Sequence, residues 1–214
     1  MKYWIFSILT AVIAYFFGSL STLVLASNFV FRSNLRRLGK GNVWLSNFRR
    51  VYGVMGLVKL ALVELVKDVI PIIIGGRLFA SSGNAEVGRA LAVFCLVLGR
   101  AYPSPYGFRG SYATAALVVG SMFISFSVGA AVLIFCVGVT IVTRYLALGT
   151  LAGGIVLAVA GVLVMENDLT LRLCIFIAVL VLIRTAPAIA RIASKKEERL
   201  SLEKDISYKF DEKI

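Results

Sequence analysis

Apolar residues fall in long uninterrupted runs along this chain, separated by short basic or acidic segments. The runs cover about 3–31, 54–74, 87–98, 112–145, 146–164 and 171–183. A helix that crosses a bilayer needs about 20 apolar residues, so most of these runs predict spans. The 87–98 run is short, and flanking residues must extend it. The 112–145 run is long enough for two short helices in a tight hairpin, turning near Ser125 to Gly129.

Charge placement orients the runs. Arg32, Arg36, Arg37, Lys40, Arg49 and Arg50 lie in the first polar loop and place it in the cytoplasm by the positive-inside rule. The amino terminus is then outside. Arg191, Lys195, Lys196 and Arg199 place the carboxyl terminus in the cytoplasm. Termini on opposite sides require an odd number of crossings. Splitting the 112–145 run gives seven, where the unsplit pattern gives six. The expected fold is an all-α integral membrane protein, a seven-transmembrane-helix bundle over 1–193 with a charged cytoplasmic tail at 194–214. The acidic loop "MENDLT" then falls outside.

Composition agrees with that class. Of 214 residues, 59% are hydrophobic, and mean hydropathy is +0.91, beyond what a soluble domain carries. The net charge of +12 lies mostly in short loops beside apolar runs. Orientation and anionic membrane lipids account for it there, and nucleic acid is not expected as a partner. Cys95, Cys136 and Cys174 all fall inside apolar runs at no metal-binding spacing, as small packing residues do. The chain has no histidine, which removes His-based acid/base chemistry, Ser-His triads and His metal ligands.

Polar residues concentrate in three loops on the inward side. "RRLGKGNVWLSNFRR" at 36–50 mixes arginines with glycines and small amides. "LGRAYPSPYGFRG" at 98–110 is too rich in proline and glycine for a helix. Arg144 ends a span. Guanidinium groups beside Gly-rich backbone suit a phosphate, through bidentate contacts and a nest of backbone N–H groups. Plain positive-inside charge is the better explanation of Arg32, Arg36 and Arg37, and explains Arg50, Arg109 and Arg144 equally well.

Within the second run, "VKLALVELVKDVIP" carries Lys59, Glu64, Lys67 and Asp68. Each charge at mid-membrane costs about 3 kcal/mol, so all four are expected to face the bundle interior and pair there with each other or with a bound ion. Glu64, Lys67 and Asp68 share a helix face. A Glu64–Lys67 pair that only fixes packing is the structural alternative. In "YFFGSLST", Gly18 and Ser19 are small enough for close helix approach.

These pieces, in this order from about Tyr15 to Arg199, resemble the bacterial membrane glycerol-3-phosphate acyltransferases that use acyl phosphate, the PlsY type. "YFFGSLST" looks like the family's Gly-Ser-x-Pro, with Ser21 for proline. "KGNVWLSNFRR" is similar to Ser-Gly-Asn-x-Gly-x-x-Asn-x-x-Arg, matching at Gly41, Asn42, Asn47 and Arg50 and departing at Lys40 and Trp44. "ELVK" resembles Asp-x-x-Lys, with Glu64 and Lys67. "LGRAYP" resembles Gly-His-x-Phe-Pro, with Arg100 for histidine. "FRGSYAT" keeps Arg109 and Gly110 of Phe-Lys-Gly-Gly-Lys-Gly-x-Ala-Thr but lacks its second lysine. "TRYLALGTLAG" matches Arg-Tyr-x-Ser at Arg144 and Tyr145. The 184–200 segment lacks the family's histidine and asparagine.

The resemblance implies a multi-pass bacterial plasma-membrane enzyme with a cytoplasmic active face and no cofactor or metal. It would move a fatty acyl group from acyl phosphate to glycerol 3-phosphate, or a related phosphorylated alcohol, in phospholipid synthesis. By its motifs Asn42, Asn47, Arg50, Lys67 and Arg100 are catalytic candidates. Ser19, Gly41, Glu64, Arg109, Gly110 and Arg144 are candidates for substrate phosphate. The altered motifs leave open an impaired relative that binds anionic lipid or a membrane partner without turnover. A transporter is disfavoured, since no internal repeat is visible.

Overall fold

The computed structural model describes residues 2–38, 45–108 and 110–197. Among these there are helices and turns but no strand. Helices α1 (Lys2–Ser19) and α2 (Thr22–Leu25) come first, and a π-helical turn, Ala26–Val30, extends α2. A 3₁₀ turn (Leu35–Arg37) precedes α3 (Leu45–Ala80), and α4 (Ala85–Ala101) follows. After a second 3₁₀ turn (Ser104–Tyr106) come α5 (Thr114–Ile124), α6 (Phe126–Thr143), α7 (Leu146–Val164) and α8 (Asp168–Ala193).

Three helices, α6, α7 and α8, are each long and apolar enough to cross a membrane, and the broken pair Tyr3–Ser19 with Thr22–Val30 makes a fourth if taken as one span. The break in the 112–145 run falls at Ser125, inside the expected turn, and α5 packs back along α6. At 11 residues α5 is roughly 17 Å long, well under a hydrocarbon core of about 30 Å. Helix α3 is interrupted at Gly53, whose φ of 67° and ψ of −166° lie outside the helical region and suit a residue without Cβ.

Helix α8 begins earlier than the apolar run predicts. Asn167 Oδ1 accepts from the Leu169 and Thr170 amides at 2.9 and 3.3 Å, an N-cap, and Asp168 complements the positive end of the helix dipole. Half of the acidic "MENDLT" loop is therefore the start of a helix.

Backbone contacts divide the chain into two compact units. Among the described residues, one holds those of 2–20 and 65–197, the other those of 21–38 and 45–64. In the larger unit α4 packs against α1, α5 and α8. Its residues Val93, Leu96 and Val97 are fully buried with Leu117, Leu157, Ile177 and Val181. Small residues allow a close crossing of α1 and α4. A Cβ at Gly18 would overlap the Leu96 carbonyl, and one at Gly99 would overlap the Tyr15 carbonyl. Between α6 and α7, Gly153 leaves room for the buried Cys136 thiol. Ile134, Val142, Val162 and Leu163 point outward and are exposed, the arrangement expected where the surrounding solvent is lipid.

In the smaller unit Leu35, Phe48, Val51 and Leu60 are buried. The Phe31 ring stacks on Tyr52 at 4.0 Å, and Phe48 meets Phe31 edge-on. Lys59 departs from expectation: it is exposed, with its ammonium 5.4 Å from the centre of the Phe31 ring. A lysine on a four-carbon stem avoids burial by reaching an aromatic face, so it needs no interior partner.

The α1–α4 crossing gives a direct test. Gly99→Leu is expected to destabilise the protein by at least 1–3 kcal/mol, because the overlapped group is backbone that cannot rotate away. Gly138→Leu, where nothing lies within 4 Å, is expected to be close to neutral. Thermal midpoints of the two variants in detergent decide the point.

Candidate functional site

One end of the larger unit holds a buried ionic cluster. The Asp68 side chain is 0% exposed, and its Oδ1 lies 3.5 Å from Lys67 Nζ and 3.2 Å from Arg100 Nη2. Lys67 and Arg100 are 5% and 12% exposed. Lys67 Nζ also donates to the Leu20 carbonyl at 3.2 Å. Asp68 and Lys67 come from α3, Arg100 from the last turn of α4, and Leu20 from just past the end of α1. Two cations thus share one buried carboxylate. Burial of Asp68 is tolerated only because its partners sit within hydrogen-bonding range.

Ser19 lies beside this cluster, 3% exposed, with its hydroxyl donating to the Phe16 carbonyl of its own helix at 2.8 Å. A Cβ on Gly99 would come within 3.0 Å of the Ser19 amide nitrogen. The structure thus places Ser19, Lys67 and Arg100 near one another. Sequence reasoning kept Asp68 out of the site, although its adjacency to Lys67 in an apolar run was a usable signal.

From Arg100 the polar contacts continue through backbone. The Ser111 amide donates to the Arg100 carbonyl at 3.1 Å. A Cβ on Gly110 would overlap that same carbonyl, so glycine here serves close packing on the end of α4. Across the segment, the Arg184 guanidinium of α8 donates to the Gly110 carbonyl through Nη2 and to the Ser111 carbonyl through Nε at 3.3 Å. It also lies 5.9 Å from the centre of the Tyr112 ring. The Tyr112 hydroxyl donates to Glu197 Oε1 at 2.5 Å and accepts from Arg191 Nη2 at 3.1 Å. Arg191 Nε pairs with Glu197 Oε2 at 2.6 Å. Burial pushes the Tyr112 phenol above its ordinary pKa, and Glu197 adds to the rise against the opposing pull of Arg191. Arg184 and Tyr112 were missed in the sequence. An arginine inside "AVLVLIRTAPAIA" was the available signal.

Arg144 caps α6 in the left-handed region, φ 62° and ψ 16°, with its amide donating to the Thr140 carbonyl at 2.8 Å and its side chain exposed.

The smaller unit holds three more candidates. Asn47 is buried, and its Nδ2 donates to the Leu38 carbonyl at 3.1 Å, bracing the start of α3 against the turn before it. Arg50 and Glu64 are half-buried on α3. Gly41, Asn42 and Arg109 lie outside the described residues. A mostly apolar cleft of about 440 Å³, lined by Tyr3, Phe79, Leu169 and Arg172 among others, belongs to the opposite ends of α1 and α3 and holds none of the candidates.

The cluster makes a quantitative expectation. Asp68→Asn keeps the shape but removes the charge that both cations share, and is expected to cost about 3–5 kcal/mol. Arg172→Gln, at an exposed arginine, is expected to cost under about 0.5 kcal/mol. Equal denaturation midpoints for the two variants would show the cluster to be energetically idle.

The fold has a solved counterpart. A crystal structure of PlsY, an integral membrane glycerol 3-phosphate acyltransferase in its glycerol 3-phosphate form, superposes with a TM-score of 0.72. The match covers 91% of this chain and 96% of that one at 22% identity. Among curated relatives, a glycerol-3-phosphate acyltransferase of Thermoanaerobacter pseudethanolicus is 25% identical, over 94% of this chain and 99% of its own length. One from Francisella tularensis subsp. tularensis is 27% identical, over 94% and 95%. The glycerol-3-phosphate acyltransferase family model matches residues 8–195. With the helical membrane fold and the ordered motifs, that match makes this chain a member of the glycerol-3-phosphate acyltransferase family.

Proposed function

We propose that this protein transfers a fatty acyl group from acyl phosphate to glycerol 3-phosphate, releasing lysophosphatidate and inorganic phosphate. The observation that carries the reading is the buried cluster of Lys67, Asp68 and Arg100, which brings two cations together among the family's motifs. Both substrates are phosphate anions, which such a cluster attracts.

The chemistry fits a chain without histidine. The acceptor hydroxyl oxygen attacks the acyl carbonyl carbon, and the bond from that carbon to the phosphate oxygen breaks. The departing phosphate takes the hydroxyl proton, so no protein base is required. Catalysis then consists of positioning two anions and stabilising the charge that moves onto phosphate. Lys67 and Arg100 would supply fixed positive charge. Arg109, Gly110 and Arg144 would meet substrate phosphate. Gly41, Asn42, Asn47, Arg50 and Glu64 enter through the family motifs alone.

Arg144 supports a ligand role independently. A non-glycine residue in the left-handed region costs about 1–2 kcal/mol, and glycine would remove that cost. An exposed arginine kept there is better explained by its guanidinium than by its backbone. A second reading, binding without turnover, draws on the inward bonding of Ser19 and Asn47, whose side chains are spent on the fold.

Purified protein in lipid or detergent is expected to release phosphate from acyl phosphate when glycerol 3-phosphate is added. Arg144→Gly is expected to weaken glycerol 3-phosphate binding about tenfold while leaving stability equal or higher. Arg50→Ala is expected to weaken it without unfolding. Acyl-phosphate binding with no turnover on any phosphorylated alcohol would favour the second reading.

We also propose seven crossings, with the amino terminus outside and the site at the cytoplasmic face of a bacterial plasma membrane. Ser82→Cys is expected to label with an impermeant thiol reagent in intact cells, and Ser194→Cys only after permeabilisation. The reverse pattern would invert the orientation.

A further inference from the structure

We propose that Arg184 is a positioning residue that clamps the 110–112 segment in the conformation that receives the substrate phosphate, an inference resting on the acyltransferase reading above. One guanidinium engages three successive residues: the Gly110 and Ser111 carbonyls by hydrogen bonds and the Tyr112 ring by its face. The opposite side of the same segment rests on the end of α4, where the Ser111 amide and the Gly110 backbone meet the Arg100 carbonyl. The segment is thus held between α4 and α8.

The chemistry of the clamp favours an anion. Carbonyl oxygens repel phosphate, and a loop that binds phosphate must turn them away from it. Arg184 draws two successive carbonyls toward itself. The segment does not hold this shape cheaply. Phe108 and Ala113, on either side of it, both occupy the left-handed region at φ 60°. Two strained residues favour relaxation once the tie is cut. Arginine is also specific for the task, since only its planar fork donates to two carbonyls while lying against a ring. A lysine keeps the charge and loses the fork. At Tyr112 the tie is doubled by Glu197 and Arg191, which join the segment to the last described turn of the chain.

Hydrogen exchange of the 107–113 amides and steady-state kinetics on the full-length protein in lipid nanodiscs test the clamp. Arg184→Gln is expected to speed exchange in this segment about tenfold, and to raise KM for glycerol 3-phosphate about tenfold with kcat within about twofold. Arg184→Lys, which keeps the charge if the glutamine variant fails to fold, is expected to fall between it and wild type. Arg172→Gln, on the first turns of the same helix, is expected to change neither. Unchanged exchange in both Arg184 variants would overturn the clamp. Faster exchange with an unchanged KM would overturn its link to phosphate. No turnover by wild type would instead defeat the acyltransferase reading, and exchange would still decide whether the clamp exists.

Discussion

A carboxylate with no exposed surface, Asp68, sets the geometry at one end of the larger unit. Desolvating it costs several kcal/mol, and only close cations offset that cost. Lys67 comes from the next residue, but Arg100 must come from another helix, so α3 and α4 are fixed relative to each other at this level. Lys67 reaches further, to the Leu20 carbonyl just past the end of α1. The last carbonyls of a helix have no intrahelical donors, and a lysine can supply one. Three chain segments are therefore tied at a single ionic centre. The Gly18 and Gly99 contacts make the approach of α1 and α4 close enough for it to form.

Long apolar runs were the legible part of this fold, because burial in lipid requires them whatever the topology. The hairpin break at Ser125 was also legible, since the 112–145 run is too long for one span and charge parity demanded a turn. What the pattern hid were features whose partners are distant in sequence. Helix periodicity offers Lys67 a neighbour at Glu64, but it cannot offer Arg100, which is 32 residues from Asp68. The start of α8 was hidden because Asn167 and Asp168 look like an exposed acidic loop and act as a helix cap. Lys59 was misread because hydropathy counts a charge without regard to the length of its stem.

Candidate residues chosen by motif divide into two kinds. Ser19, Asn47 and Gly110 each have an internal job: a back-bond to Phe16, a brace on Leu38 and a close approach to Arg100. A motif records that a residue type is required at a position and cannot say whether the requirement comes from ligand or backbone. Arg144 is of the other kind. Its backbone conformation would suit glycine better, and its side chain is exposed, so the backbone gives no reason for arginine.

Arg100 shows how the departures from the family pattern fit together. An imidazole at this position would change its charge near neutral pH, whereas a guanidinium stays charged. Here the guanidinium lies 3.2 Å from Asp68 and shares that carboxylate with Lys67. General-base catalysis gains nothing from such a group, but positioning an anion does. In the proposed reaction acyl phosphate would carry its own leaving group and its own proton acceptor, so a site made of fixed cations would meet its demands without any titrating side chain. The 110–112 backbone is held by the Arg184 guanidinium on one side and by the Arg100 carbonyl on the other.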